Sequence, residues 1–345
     1  MTASRRLLGL LVAALLSALV LTAPTGAAAA EPDPGARAHA PAAKVNPVRD
    51  FPRMPRKCVD PKLLIPQKPT KCNINGFKSN RPTIVIWGDS HAWQMIPALK
   101  GAANKRNVNL VAFVMGSCPV MDPALTPQQR HGSAPACLIS NDRALRFVAG
   151  LKAQKKPVHV VLGTYWQRYL KAIRTGQGTD YVKEMAKYWK AGGPRLFRTL
   201  GKLRVGVDVD GQIATAPLSL GSKCFTNDYY ANTCNVSRGR AIPGEKSVKS
   251  WLKKQMKRLA KPRFVNANRM CTAKTCYAKP GGVYTWWDYQ HLSASMSRKL
   301  SYVFDQTVTR AGGTGRPNGG GPVLDGGEDG GGGGGGGCPL IILCR

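Results

Sequence analysis

Three short, nearly unbroken apolar runs recur along the chain: "TIVIW" (83–87), "VNLVAFVM" (108–115) and "VHVVLGTYW" (158–166). A strand with one wet face alternates apolar and polar residues, so a run without alternation has both faces covered. Runs of that kind, separated by helix-length stretches, specify a parallel sheet between two helical layers. The stretches between them fit: 91–105, "SNDRALRFVAGLKAQ" begun by Ser140 or Asn141, and 180–200 all read as helices. A weaker strand within 203–215, the basic amphipathic helix "EKSVKSWLKKQMKRLA", a late strand "RFVNA" and a helix over 293–310 continue the pattern. The expected fold class is therefore α/β, a three-layer sandwich around a central, mostly parallel sheet, with no internal repeat. It occupies 58–310, about 250 residues, which suits one domain.

The ends have a different character. Residues 1–30 carry two arginines, an apolar run and an Ala-Ala-Ala site ending at Ala30, the layout of a secretory signal peptide. The rival reading is a retained membrane anchor. Residues 31–57, rich in Ala, Pro and basic side chains, read as a disordered spacer, and 311–345 as a glycine-rich tail. The tail closes on "CPLIILCR", a short apolar run between two cysteines for which the sequence suggests no function.

An exported chain is expected to form disulfides, and the ten cysteines agree. They fall as Cys58 with Cys72, Cys118 with Cys137, Cys224 with Cys234, Cys271 with Cys276, and Cys338 with Cys344. Each neighbouring pair could close a short loop, although spacing alone does not fix the connectivity. No Cys-x-x-Cys spacing occurs, so no metal is expected, and no cofactor. The formal charge is +33, or about +31 once the leader takes Arg5 and Arg6 with it. Such a charge draws a protein to polyanions. An exported one meets anionic envelope polymers and lipid head groups first, and the basic residues are spread along the chain rather than gathered in one block. No nucleic-acid partner is expected, because no recognition motif accompanies the charge.

In open parallel sheets ligands bind beyond the carboxyl ends of the strands. There the first run meets "GDSHAWQM", with Ser90 where a helix begins. Asp or Ser just before a helix is a routine cap. To be a nucleophile, Ser90 needs a base. Of five histidines, His39 falls in the spacer, His159 inside an apolar strand, His131 in a cysteine-bracketed loop, and His91 beside Ser90, where adjacent side chains rarely face each other. His291 remains, in "TWWDYQHLSASMSRKL", with Asp288 three residues earlier and Ser293 able to cap the following helix. An aspartate beside an imidazole orients it and stabilises the imidazolium. "GDSHA" falls one residue short of a G-x-S-x-G elbow, and Asp and His only three residues apart do not suit an α/β-hydrolase.

The motifs "IVIWGDSHAWQMIPAL", "GSCPV", "VVLGTYWQR", "MCTAKTCY" and "WWDYQHLSASMSRKLS" resemble the SGNH hydrolase superfamily. More narrowly they resemble the SGNH domain at the carboxyl end of membrane acyltransferase-3 proteins that O-acetylate envelope glycans, over roughly residues 58–310. The resemblance implies a triad of Ser90, Asp288 and His291. It also implies an oxyanion hole formed by the backbone N–H groups of Ser90 and Gly116, with Ser117 equally placed. The superfamily's third donor, an asparagine after the third strand, is absent: Gly163, Thr164, Tyr165 and Trp166 stand there, and the acyltransferase-linked subgroup often has a tryptophan at this point. Losing one such donor costs about 100- to 1000-fold in turnover. The implied activity is that of a secreted serine esterase or O-acyltransferase working on O-acyl, above all O-acetyl, groups of envelope polysaccharide or peptidoglycan. A separately encoded membrane acyltransferase is an expected partner. The rival expectation is a catalytically weak SGNH-fold module that binds anionic envelope polymers.

Overall fold

A computed structural model describes residues 46–220, 222–225 and 234–314. The expected leader, the spacer up to residue 45 and the tail from 315 lie outside the described residues. The first half of the chain forms β1 (Cys72–Asn73), β2 (Thr83–Gly88), α1 (Ser90–Trp93), α2 (Ile96–Asn104), β3 (Asn109–Val114), α3 (Ala136–Ala153) and β4 (Val158–Gly163). Then come α4 (Trp166–Thr175), α5 (Asp180–Lys202), β5 (Gly206–Asp210), β6 (Val236–Ser237) and α6 (Arg238–Ala241). The last elements are α7 (Glu245–Met256), β7 (Lys261–Val265), β8 (Thr275–Cys276), α8 (Ala294–Lys299) and α9 (Asp305–Arg310).

Six strands make the main sheet in the order β1-β3-β2-β4-β5-β7. Five are parallel, and the two-residue β1 runs antiparallel along the β3 edge. A separate antiparallel pair joins β6 to β8. The apolar runs lack alternation because each strand feeds two cores. Ile84 and Ile86 pack with Leu99, Ala102 and Phe304 on one face. Val85 and Trp87 pack with Val148, Tyr169, Leu196 and Leu252 on the other. Strand β2 lies between β3 and β4: the chain leaves it for β3 on one side and then crosses back to β4 on the other, so its carboxyl end is the topological switch point of the sheet, where such folds open a crevice.

Several boundaries differ from those read in the sequence. Strand β4 stops at Gly163, and Trp166 opens the unforeseen α4. Helix α3 starts at Ala136, behind Pro135, rather than at Ser140 or Asn141. Asn141 is buried instead, accepting from Trp87 Nε1 at 2.8 Å and from the Met121 N–H at 2.9 Å. The stretch 91–105 divides into α1 and α2, and 293–310 into α8, a single 3₁₀ turn and α9. The packed chain also begins upstream of 58. Asp50 is buried, its carbonyl accepts the Ala294 N–H at 2.7 Å, its carboxylate accepts the Ser295 N–H at 3.1 Å, and the Phe51 ring lies 5.5 Å from Trp287.

Among the described residues four disulfides clip loops onto this core: Cys58–Cys72, Cys118–Cys137, Cys224–Cys234 and Cys271–Cys276. The fifth expected pairing differs from these four: Cys338 and Cys344 both lie outside the described residues, so no bond is assigned to Cys344 or to Cys338. His159 is a core residue, with Nε2 3.0 Å from an Asp208 oxygen. Burial alone pushes that carboxyl up; contacts with His159 and Arg263 outweigh it and hold the group below the usual carboxylate range. Among the described residues no helix is long and apolar enough to cross a membrane.

Candidate active site

The crevice is built from the turn after β2. A side chain at Gly88 would run into the Gly163 carbonyl, and one at Gly163 would press on Ala92, so these two glycines let α1 cross the ends of β2 and β4 at close range. Asp89, not Ser90, is the cap of α1: its Oδ1 accepts the His91 N–H at 2.8 Å. Its Oδ2 takes two more bonds, from Thr164 Oγ1 at 2.7 Å and from the Tyr165 N–H at 2.9 Å. Burial raises the Asp89 carboxyl above its ordinary range, against the pull of those three donors. One carboxyl thus staples the serine turn to the turn after β4. Ser90 is the first helical residue, half-buried, its hydroxyl not used as a cap.

The second half of the site is a tight loop closed by a bridge between Trp286 and Leu292. Asp288 Oδ1 accepts the N–H groups of Gln290 and His291, both at 2.7 Å, folding the Asp-x-x-His tetrapeptide onto itself. That fold brings His291 Nδ1 to 2.8 Å from Asp288 Oδ2, which fixes the tautomer with the proton on Nδ1 and leaves Nε2 as a base. Among the described residues nothing hydrogen-bonds His291 Nε2. The loop is tied to the serine helix by Gln94, fully buried at the end of α1, whose Oε1 accepts the Leu292 N–H at 2.6 Å. Ser297 Oγ accepts the Ala98 N–H at 3.2 Å, and Ser293 caps α8 as expected. The His291 ring lies 5.6 Å from His91, 5.8 Å from Trp93 and 6.0 Å from Trp287.

His91 is a wall of the site. Its ring stacks on Tyr165 at 4.3 Å, and neither of its nitrogens has a hydrogen-bond partner among the described residues. Burial first, and then the nearby His291 and Arg168, hold its imidazole well below the ordinary range, so it stays neutral.

The backbone N–H groups expected around the oxyanion differ in their bonding. The Gly116 N–H already donates to the Pro66 carbonyl at 3.1 Å, which leaves it unavailable for an incoming oxyanion. The N–H of its neighbour Ser117, held at φ 54°, makes no such bond among the described residues. After β4, Thr164 Oγ1 is spent on Asp89 and Trp166 Nε1 donates to the Asp210 carbonyl at 2.8 Å. Neither of these two side chains is open to replace the missing asparagine. Asp89 and Gln94 join the site without having been singled out from the sequence. Asp89 carries a recognisable capping signal, whereas Gln94 has no local signal at all, since its partner lies 198 residues away.

A serine at the switch point of a parallel sheet, with an Asp-His pair on one short loop before the last helices, defines an SGNH-type α/β domain. Residues 57–306 match the SGNH domain in the form fused to AT3 domains, and the chain belongs to that family. Acyl-ester chemistry in general terms comes with it. No curated protein matches the chain in sequence. Among solved structures, the chain is similar to the periplasmic domain of the lipopolysaccharide acetyltransferase of Salmonella ser. Paratyphi A. The identity is 13% and the TM-score 0.44, covering 67% of this chain and 85% of that one.

Proposed function

We propose that this protein is an exported serine esterase or O-acyltransferase acting on O-acyl, above all O-acetyl, groups of an envelope carbohydrate. Ser90 Oγ attacks the ester carbonyl as its proton passes to His291 Nε2, and Asp288 holds and stabilises the imidazolium. The carbonyl oxygen becomes an oxyanion received by the backbone N–H groups of Ser90 and Ser117. Collapse of the tetrahedral intermediate releases the alcohol with the proton from His291, leaving an acyl-Ser90 ester. Water or a sugar hydroxyl then takes the acyl group by the same steps in reverse. The observation that carries the reading is the Asp288–His291 pair, with Nε2 unpartnered among the described residues and the loop tied through Gln94 to the helix that Ser90 begins. In the family the domain is fused to AT3 domains, which supports a membrane acyltransferase as donor of the acyl group. Hydrolysis of p-nitrophenyl acetate by wild type and Ser90→Ala tests the assignment. The variant should lose at least about 1000-fold in kcat; equal rates would sink it.

A second reading rests on the engaged donors around the oxyanion position. The domain would then be a weak or inactive module that holds anionic envelope polymers through its large positive charge. Salt-sensitive retention on purified cell wall, with no labelling of Ser90 by a fluorophosphonate, would favour it.

A further inference from the structure

A cavity of about 410 Å³ opens at the carboxyl end of β3, lined by Gln67, Met115, Gly116, Ser117, Ala136 and Tyr181. That volume falls within the range of small-molecule sites. It lies beside the serine turn. The Met115 N–H donates to the Gly88 carbonyl at 3.1 Å, two residues before Ser90.

The walls are covalently braced. Gln67 belongs to the loop closed by Cys58–Cys72, and its amide lies on Gly116 so closely that a Cβ there would meet Nε2 at 2.5 Å. Ser117 and Ala136 are the immediate neighbours of Cys118 and Cys137, which are bonded to each other. Tyr181 stands in the first turn of α5, 39% exposed at the rim. Bracing of this kind preforms a site and lowers the ordering cost of binding.

The chemistry of the lining selects the occupant. In a chain with 51 Lys and Arg, none of the six lining residues is charged. An anionic group would find no countercharge in the lining, while an aromatic face, an amide and a hydroxyl suit a polar but neutral ring. We infer that this cavity is the subsite for an uncharged sugar residue of the glycan, with Tyr181 as the face on which the ring lies and Gln67 and Ser117 as its hydrogen-bonding groups. The inference rests on the proposed acyl-carbohydrate reading, because a sugar seated against Ser117 has its ester beside the N–H assigned to the oxyanion.

Binding can be measured without the chemistry. The full-length Ser90→Ala protein is titrated with N-acetylchitotetraose and maltotetraose as neutral probes and tetragalacturonate as an anionic one, followed by amide NMR. The expected result is saturable binding of at least one neutral probe, shifts centred on 115–117, 136 and 181, and affinity reduced about tenfold by Tyr181→Ala or by Ala136→Trp, which fills the cavity. Unchanged thermal unfolding of both variants shows that they fold. No neutral binding, shifts elsewhere, indifference to both variants, or preference for the uronate overturns the subsite. The two failures are separable: loss of Ser90-dependent ester hydrolysis with neutral binding intact removes the enzyme reading, and the converse removes the subsite alone.

Discussion

Two histidines approach the crevice with rings 5.6 Å apart, and their surroundings give them opposite parts. His291 has a carboxylate on Nδ1 and stays 14% exposed, the surroundings of the proposed base. His91 is sealed against Tyr165 with no acceptor for either nitrogen among the described residues. His291→Gln should therefore abolish p-nitrophenyl acetate turnover and Asp288→Asn should lower kcat on the order of 10⁴-fold. His91→Phe keeps the stack and should stay within about fivefold of wild type, since no bond of its ring is lost. A second buried carboxyl offers a pH test. Both oxygens of Asp210 lack partners among the described residues, and burial holds the group well above the carboxylate range. At pH values below the unfolded carboxyl's range both states are protonated and the group contributes nothing to the pH dependence. As pH rises from there to the raised native value, the unfolded chain ionises more readily and stability falls. Asp210→Asn is neutral throughout. Its melting temperature relative to wild type should therefore rise with pH across that window, and a pH-independent difference would refute the account.

At the scale of elements, the segment 46–51 braces the loop that carries the histidine. Asp50 binds the first two N–H groups of α8, and Phe51 packs on Trp287, which in turn lies nearly parallel to His291 at 6.0 Å. Asp50→Ala should cost about 1 kcal/mol in denaturant unfolding, as lost caps do. It should lower kcat more than it changes KM, because the proposed base and not the proposed substrate pocket loses its support. The sequence reveals the long elements and hides the short ones for the same reason. Strands β2, β3 and β4 are buried on both faces, so composition alone marks them. The two-residue β1 has no periodicity to read, and its pairing with β3 is a tertiary fact. Helix α4 escapes the sequence because Trp166 reads as the end of an apolar run; what turns the chain there is Asp89, 75 residues earlier in sequence than Thr164. The Asp-x-x-His pair is legible because its geometry is local. Which backbone N–H groups remain open is not, since Gly116 is occupied by a proline carbonyl from a different loop.

For the whole molecule, the parallel core carries stability while disulfides fix the loops that line the crevice. The Cys118–Cys137 bond joins residues 19 apart. Replacing both by alanine should cost about 3 kcal/mol of unfolding free energy in the loop-entropy account. It should also loosen Ser117 and Ala136, so ester turnover and unfolding should both respond to reductant. The two limits of the described residues lie at opposite poles of the fold. The strap at 46–51 enters beside the histidine loop, whereas Gly312 rests on Pro82 and Pro157, just before β2 and β4, and the Thr314 N–H bonds the Arg106 carbonyl at 3.2 Å. This polarity decides how the molecule can be held. A bead, label or fusion joined after residue 314 leaves the crevice facing outward and free. The same handle joined just before residue 46 is tethered at the lip, where it competes with a polymeric substrate for approach. Immobilising the protein from each end in turn, and comparing its hydrolysis of a small ester with that of a glycan, would read that asymmetry directly.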